Sequence, residues 1–175
     1  MGDGKLRGAV TDSGPLIHLD EIGCLFCLRV FETISIPHAV WLETVGENRV
    51  SQDSLRTLPN VQEFSIPGSA VAQFLTENDV AKLHAGEQEC LCLCLQRSIT
   101  TLLTDEMAVR DAAKRLGIIP VGSLGIIVMA HNRAMISLED AEHGIADLYD
   151  VSTLFVTRDI VDLAIAQLHK HIKEE

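Results

Sequence analysis

Two hydropathy rhythms alternate along this chain: short β-branched apolar runs, and longer segments whose apolar residues recur at helical spacing. Ala9-Val10-Thr11 is an apolar run ending at Asp12, and Ser13-Gly14-Pro15 interrupts it before Leu16-Ile17-His18-Leu19. Ser13 or Gly14 suits a helix cap, and Pro15 is tolerated in a first turn, so the segment predicts strand, turn and helix start. A short helix is expected over Cys24 to Phe31. Thr33 to Ile36 is a β-branched run closed by Pro37, and His38 to Val45 follows with helical character. Residues 46–59 are polar with room for a helical piece, and Val61 to Ile66 predicts a short edge strand before Pro67.

The same alternation continues. Helices are expected from Ala70 to Leu83, and from Glu87 to about Gln96 after Gly86. Ile99 to Thr104 reads as a buried strand, and Glu106 to Leu116 carries a helical stripe that Gly117 stops. Ile118 to Val121 predicts another strand and Leu124 to Ala130 another helix. Strands alternating with helices predict an α/β architecture, a parallel central sheet flanked by helices on both faces. Additional C-terminal helices follow: Ser137 precedes Glu139, Asp140 and Glu142, which suits a capped helix over Leu138 to Leu148. The last helix opens at Thr157 or Arg158 and carries the stripe Ile160, Leu163, Ala164 and Leu168. At 175 residues the chain is expected to form a single domain over 1–175, with a core at about 7–130 and a helical extension at about 137–173.

Composition narrows the function classes. Hydrophobic residues make up 47% and charged residues 22%, which is ordinary globular usage and argues against disorder or a coiled coil. No stretch approaches the roughly 18 apolar residues of a membrane helix, and Met1 to Arg7 lacks an apolar signal core, so a cytoplasmic protein without membrane attachment is expected. A net charge of −11 repels nucleic acid from the average surface, which disfavours a nonspecific coating protein. It leaves a nuclease open, because clustered acids bind cations that invert the local field. Five cysteines are an odd set, in a chain without secretory features, which argues against a complete disulfide framework. Cys24 and Cys27 have metal or redox spacing without a second pair, and Cys90, Cys92 and Cys94 alternate with leucines in a helix, so buried thiols are expected.

Four acids carry the candidate chemistry. Asp12 and Asp105 each follow an apolar strand run, where the sheet holds the backbone and the side chain reaches the rim at which ligands of open parallel sheets collect. Glu43 and Glu87 lie in helical segments able to return beside them. Carboxylates brought together repel unless a cation joins them, and oxygen ligands suit Mg²⁺ or Mn²⁺, which orient phosphate and activate water. Each acid also has a structural reading: Asp12 as a turn acid, Asp105 as a cap for the helix at Glu106, Glu43 on a solvated face, and Glu87 or Glu89 favouring a helix N-terminus. Two residues apart, Glu87 and Glu89 do not share a face; Glu87 is taken as the inner ligand and Glu89 as the alternative.

The segments Val10-Thr11-Asp12-Ser13-Gly14-Pro15-Leu16-Ile17, Ile36-Pro37-His38-Ala39-Val40-Trp41-Leu42-Glu43, Gly86-Glu87-Gln88-Glu89 and Leu103-Thr104-Asp105-Glu106 together resemble a PIN domain, the metal-dependent ribonuclease fold of the VapC-type toxins. Gly122-Ser123-Leu124-Gly125 is similar to a prokaryotic subgroup whose members often lack an assigned role. The resemblance implies that Asp12, Glu43, Glu87 and Asp105 are the catalytic and metal-binding acids, with Ser13 and Ser123 bonding water or a ligand. It implies hydrolysis of RNA phosphodiester bonds with Mg²⁺ or Mn²⁺, a toxin role with an antitoxin partner, and a homodimer. Glu87 stands where many members carry Asp, which lengthens one ligand arm. Arg110 is read as a phosphate contact or as the i+4 ion-pair partner of Glu106. Two other classes compete: a PIN scaffold with little or no catalysis that serves as an interaction module, and a nucleotide-binding or phosphatase-like enzyme. The last lacks GxGxxG, GxxxxGK[ST] and a second aspartate after Asp12.

Overall fold

The computed structural model describes residues 6–172, with side chains through Lys170; Met1 to Lys5, the side chain of His171 and the end of the expected extension at Lys173 lie outside the described residues. Five short strands, β1 (Ala9–Thr11), β2 (Ile34–Pro37), β3 (Val61–Phe64), β4 (Thr101–Leu103) and β5 (Ile119–Val121), form one sheet in the order β3-β2-β1-β4-β5. Every pairing is parallel. Parallel neighbours need crossover connections, and these are the helices α1 (Ser13–Glu21), α2 (His38–Trp41), α3 (Gln52–Arg56), α4 (Gly68–Glu77), α5 (Ala85–Gln96) and α6 (Met107–Arg115). The path from β1 to β3 moves one way across the sheet and the path from β3 through β4 to β5 moves the other way. Right-handed crossovers therefore place α1 and α5 on opposite faces.

Burial follows from that layering. Val10, Ile34, Ile36, Leu102 and Leu103 are fully buried, because central strands are covered on both faces. The edge strands β3 and β5 carry exposed residues, Gln62, Glu63 and Ile119 among them. Three further helices close one side: α7 (Ser123–Asn132), α8 (Leu138–Asp150) and α9 (Arg158–Ile172), which pack on one another. Ile126 and Ile127 of α7, Ile145 and Leu148 of α8, and Ala164 and Leu168 of α9 are buried. The start of α8 is a capping box, with the Ser137 hydroxyl accepting from the Asp140 amide at 3.0 Å.

Three expected elements differ in type or extent. The short helix expected over Cys24 to Phe31 is present as six residues of 3₁₀ type, Leu25–Val30, within the ten residues between Gly23 at φ 68° and β2. Helix α4 ends at Glu77, because the Asn78 side chain donates to the Phe74 carbonyl at 2.9 Å and closes the last turn. The helix after Pro37 passes at Leu42 into one π-helical turn, Leu42–Gly46, held by the buried Thr44 hydroxyl on the Val40 carbonyl at 2.8 Å. Cys27, Cys90, Cys92 and Cys94 are buried thiols, as their spacing suggested, and Cys24 is half-buried.

Leu102→Ala in β4 removes a fully buried side chain between two helical layers. It should cost roughly 2–5 kcal/mol in urea unfolding, whereas Ile119→Ala on the exposed edge should change stability by about 0.5 kcal/mol or less.

Candidate active site

The strand order reverses between β1 and β4, and the chain leaves both strands at their carboxyl ends at that point. Asp12 follows β1 and caps α1: its amide donates to the Leu103 carbonyl at 2.8 Å, and its Oδ1 accepts from the Ser13 amide at 2.8 Å. Its Oδ2 accepts from the Thr104 hydroxyl at 3.0 Å, so both ends of the switch hold the same carboxylate. Asp12 is 2% exposed. Burial pushes its pKa up to about 6; the bonds from Ser13 and Thr104 oppose the rise, and the charges of Glu87 and Glu43 add to it.

Glu43 sits in the π-helical turn, which carries its side chain toward the amino end of α5. Its carboxylate lies against Gly86, where an added Cβ would stand 2.8 Å from Oε1, so a side chain at 86 would displace it. Burial raises the Glu43 pKa; a hydrogen bond with the Ser13 side chain opposes this, and Glu87 and Glu47 reinforce it. Glu87 occupies the first turn of α5 and accepts from the His84 amide at 2.8 Å. Asp12, Ser13, Glu43 and Glu87 together line a cleft of about 520 Å³. Its rim carries Arg49, Lys82 and His84, with Glu47 and Glu106 among them.

Asp105 does not line that cleft. Its Oδ2 lies 2.8 Å from His18 Nδ1 and accepts from the Ser123 hydroxyl at 2.6 Å, while its Oδ1 accepts from the Ser123 amide at 2.7 Å. Gly122 permits this approach, since a Cβ there would come 2.9 Å from Oδ1. Asp105 therefore caps α7 rather than the helix after Glu106, and Ser123 is occupied by Asp105. His18 faces both Asp105 and the acidic cleft. Sequence reading passed over His18, although it is the polar residue in the Leu16 to Leu19 run and lies one turn beyond Gly14 on α1.

Two auxiliary residues take other work. Glu89 turns away from the cleft and accepts from the Ala39 amide at 3.0 Å, anchoring the start of α2. Arg110 donates to the Thr104 carbonyl at 3.1 Å and forms no ion pair with Glu106 among the described residues, because the guanidinium folds back over the β4 exit.

The carboxylate oxygens have the chemistry of a hard-cation site. Among the described residues, however, no three Asp, Glu, His or Cys side chains stand together closely enough to hold one ion as they are arranged. The bonds above account for this: Asp12 uses both oxygens on Ser13 and Thr104, and Glu87 is folded onto His84. Glu43 and Glu87, with three rotatable bonds each, are the donors free to swing.

In chelator-treated protein, Asp12 binds its proton more tightly when folded than when unfolded. Its contribution is fully present below pH 3.8 and is lost as pH rises through about 6. Asp12→Asn removes that loss, so the stability of the variant relative to wild type should rise across this window by up to about 3 kcal/mol, read by urea unfolding at successive pH values.

Comparison with known proteins returns no match among curated proteins. A family model, DUF3368: PIN domain, matches residues 8–170, from the residue before β1 to the last turns of α9. With the α/β switch-point architecture and nearly the whole chain in register with that model, this protein belongs to the PIN-domain family.

Proposed function

We propose that the protein is a divalent-metal-dependent ribonuclease that hydrolyses RNA phosphodiester bonds at the cleft lined by Asp12, Glu43 and Glu87. The observation that carries this reading is the convergence of three carboxylates from separate elements on one cleft, one of them buried at the sheet's switch point. The PIN family, a family of nuclease-type fold, supplies the reaction class. When bound, Mg²⁺ or Mn²⁺ would supply positive charge for the scissile phosphate and acidify an attacking water.

The remaining work belongs to the side chains. Asp12, fixed by Ser13 and Thr104, is the rigid ligand; Glu43 and Glu87 are the adjustable ones. Ser13 bridges the Asp12 turn and Glu43 and orients both. Asp105, through His18 and Ser123, positions α1 and α7 beside the cleft and joins the ligand set on release of His18. Arg49, Lys82 and His84 on the rim attract an RNA backbone that the net charge of −11 otherwise repels. A toxin role, with an antitoxin protein covering the cleft, is the biological setting we favour.

Purified full-length protein with Mn²⁺ should cleave an RNA pool, and Asp12→Asn and Glu87→Gln should each abolish cleavage while keeping the far-ultraviolet circular dichroism of the wild type. Ser13→Ala should lower activity roughly 10–100-fold. The bond of Asp105 to His18 favours a second reading, a PIN scaffold acting as an interaction module. Absence of cleavage together with unchanged Mn²⁺ affinity in Asp12→Asn would establish that reading instead.

We assign a homodimer on the apolar residues that the fold leaves outside: of the α9 stripe, Ile160 and Leu163 are exposed, and Phe155 just before it is 95% exposed. Light scattering should return twice the chain mass, and Leu163→Glu should return the monomer mass; a wild-type monomer at high concentration overturns the assignment.

A further inference from the structure

A second cleft opens at the opposite end of the sheet, where the chain enters β1, β2 and β4. It measures about 360 Å³ and is lined by Arg7, Thr33, Ser35, Phe64, Arg97 and Thr100, with no carboxylate among its described lining residues. That is unexpected in a chain with 25 acidic and 14 basic residues. The Arg97 guanidinium lies over the Phe64 ring, 4.5 Å from its centroid, a contact that fixes the flat cation at the wall and leaves its N–H edge for another group. Arg56 and Arg158 form ion pairs, whereas Arg7 and Arg97 form none among the described residues.

Ser35 supplies an independent observation. Among the described residues the buried polar ones are Thr11, Asp12, Ser35, Thr44, Thr104 and Ser123. Five of them hydrogen-bond through their side chains. Ser35, 4% exposed and lining the cleft, has no side-chain hydrogen bond among the described residues. Among the described residues Asn60 Oδ1 is the fully buried polar side-chain atom without a partner, so the Ser35 hydroxyl keeps contact with the open cleft and is free to donate to a ligand there. Gly8 keeps the neighbouring Thr33 hydroxyl accessible, since a Cβ there would stand 2.6 Å from Thr33 Oγ1. One effect opposes an anion here, the negative end of α5. Its last carbonyls, on Leu93, Cys94 and Leu95, already accept from the amides of Arg97, Ser98 and Ile99.

We propose that this cleft is an anion site for a phosphate group, held by Arg7 and Arg97 and by the hydroxyls of Ser35 and Thr33. Guanidinium matches phosphate in planar, paired hydrogen bonds, and hydroxyls donate to the remaining oxygens. The cleft is large enough for the phosphate to be free or to be the terminal phosphate of a nucleotide. The site stands apart from the acidic cleft and does not depend on the ribonuclease reading.

The test is titration of the isotopically labelled full chain with inorganic phosphate, and separately with 5′-AMP, by two-dimensional NMR at constant ionic strength with chelator present. Saturable shifts of the Ser35, Ser98 and Thr100 amides are expected. Arg97→Gln should weaken binding at least about tenfold, and Arg7→Gln with Arg97→Gln should remove it while the amide spectrum elsewhere stays that of the wild type. Ser35→Ala should weaken binding with both arginines intact. Tighter binding of 5′-AMP assigns a nucleotide phosphate, and equal affinity assigns free phosphate. No saturable shift by about 10 mM ligand, a range that still reports millimolar affinity, overturns the proposal. So do shifts that persist in the double variant or that centre on Asp12.

Discussion

The pairing of β1 with β4 is the constraint on which the site depends. Where strand order reverses, no crossover helix covers the carboxyl ends of the two strands, and the gap between them receives the side chains that follow each strand. Asp12 fills that gap with its amide on Leu103 and its carboxylate on Thr104. The sheet thus fixes a buried acid to within a hydrogen bond on either side, and two longer acids are then delivered by helices from different parts of the chain.

Holding that acid has an energetic cost. A carboxylate almost wholly removed from water, beside Glu43 and Glu87, holds its proton more tightly than an ordinary aspartate even with two donors bonded to it. Such a group is poorly suited to a purely structural cap, for which an exposed Asp or Ser serves as well. It is well suited to a place where a cation replaces the missing solvent. The π-helical turn at Leu42–Gly46 and the bare backbone of Gly86 belong to the same arrangement, because one aims Glu43 and the other leaves space for it.

The two ends of the sheet differ in electrostatic sign. Carboxylates collect at the carboxyl ends of the strands, and at their amino ends lie two arginines that form no ion pair among the described residues, in a cleft with no carboxylate among its described lining residues. Helix dipoles alone would arrange charge the other way, so the side chains rather than the backbone set the character of each end. Apolar residues left outside by α9 and the segment before it lie on a third surface.

The alternation of β-branched runs with helical stripes was sufficient to read five strands, their parallel sheet and the helices on both faces, because side-chain periodicity reports directly which face of an element is buried. The strand-end positions of Asp12 and Asp105 were legible for the same reason. Local pattern did not reach further than the element: the early stop of α4 came from one asparagine side chain, and the direction of Glu89 came from an amide fifty positions away in the chain. That Asp105 turns to His18 and Ser123, leaving three of the four expected site acids lining one cleft, was decided by tertiary structure alone. A sequence states which groups can ionise or bond, whereas the choice among several partners of similar energy is made only when packing brings one of them within about 3 Å.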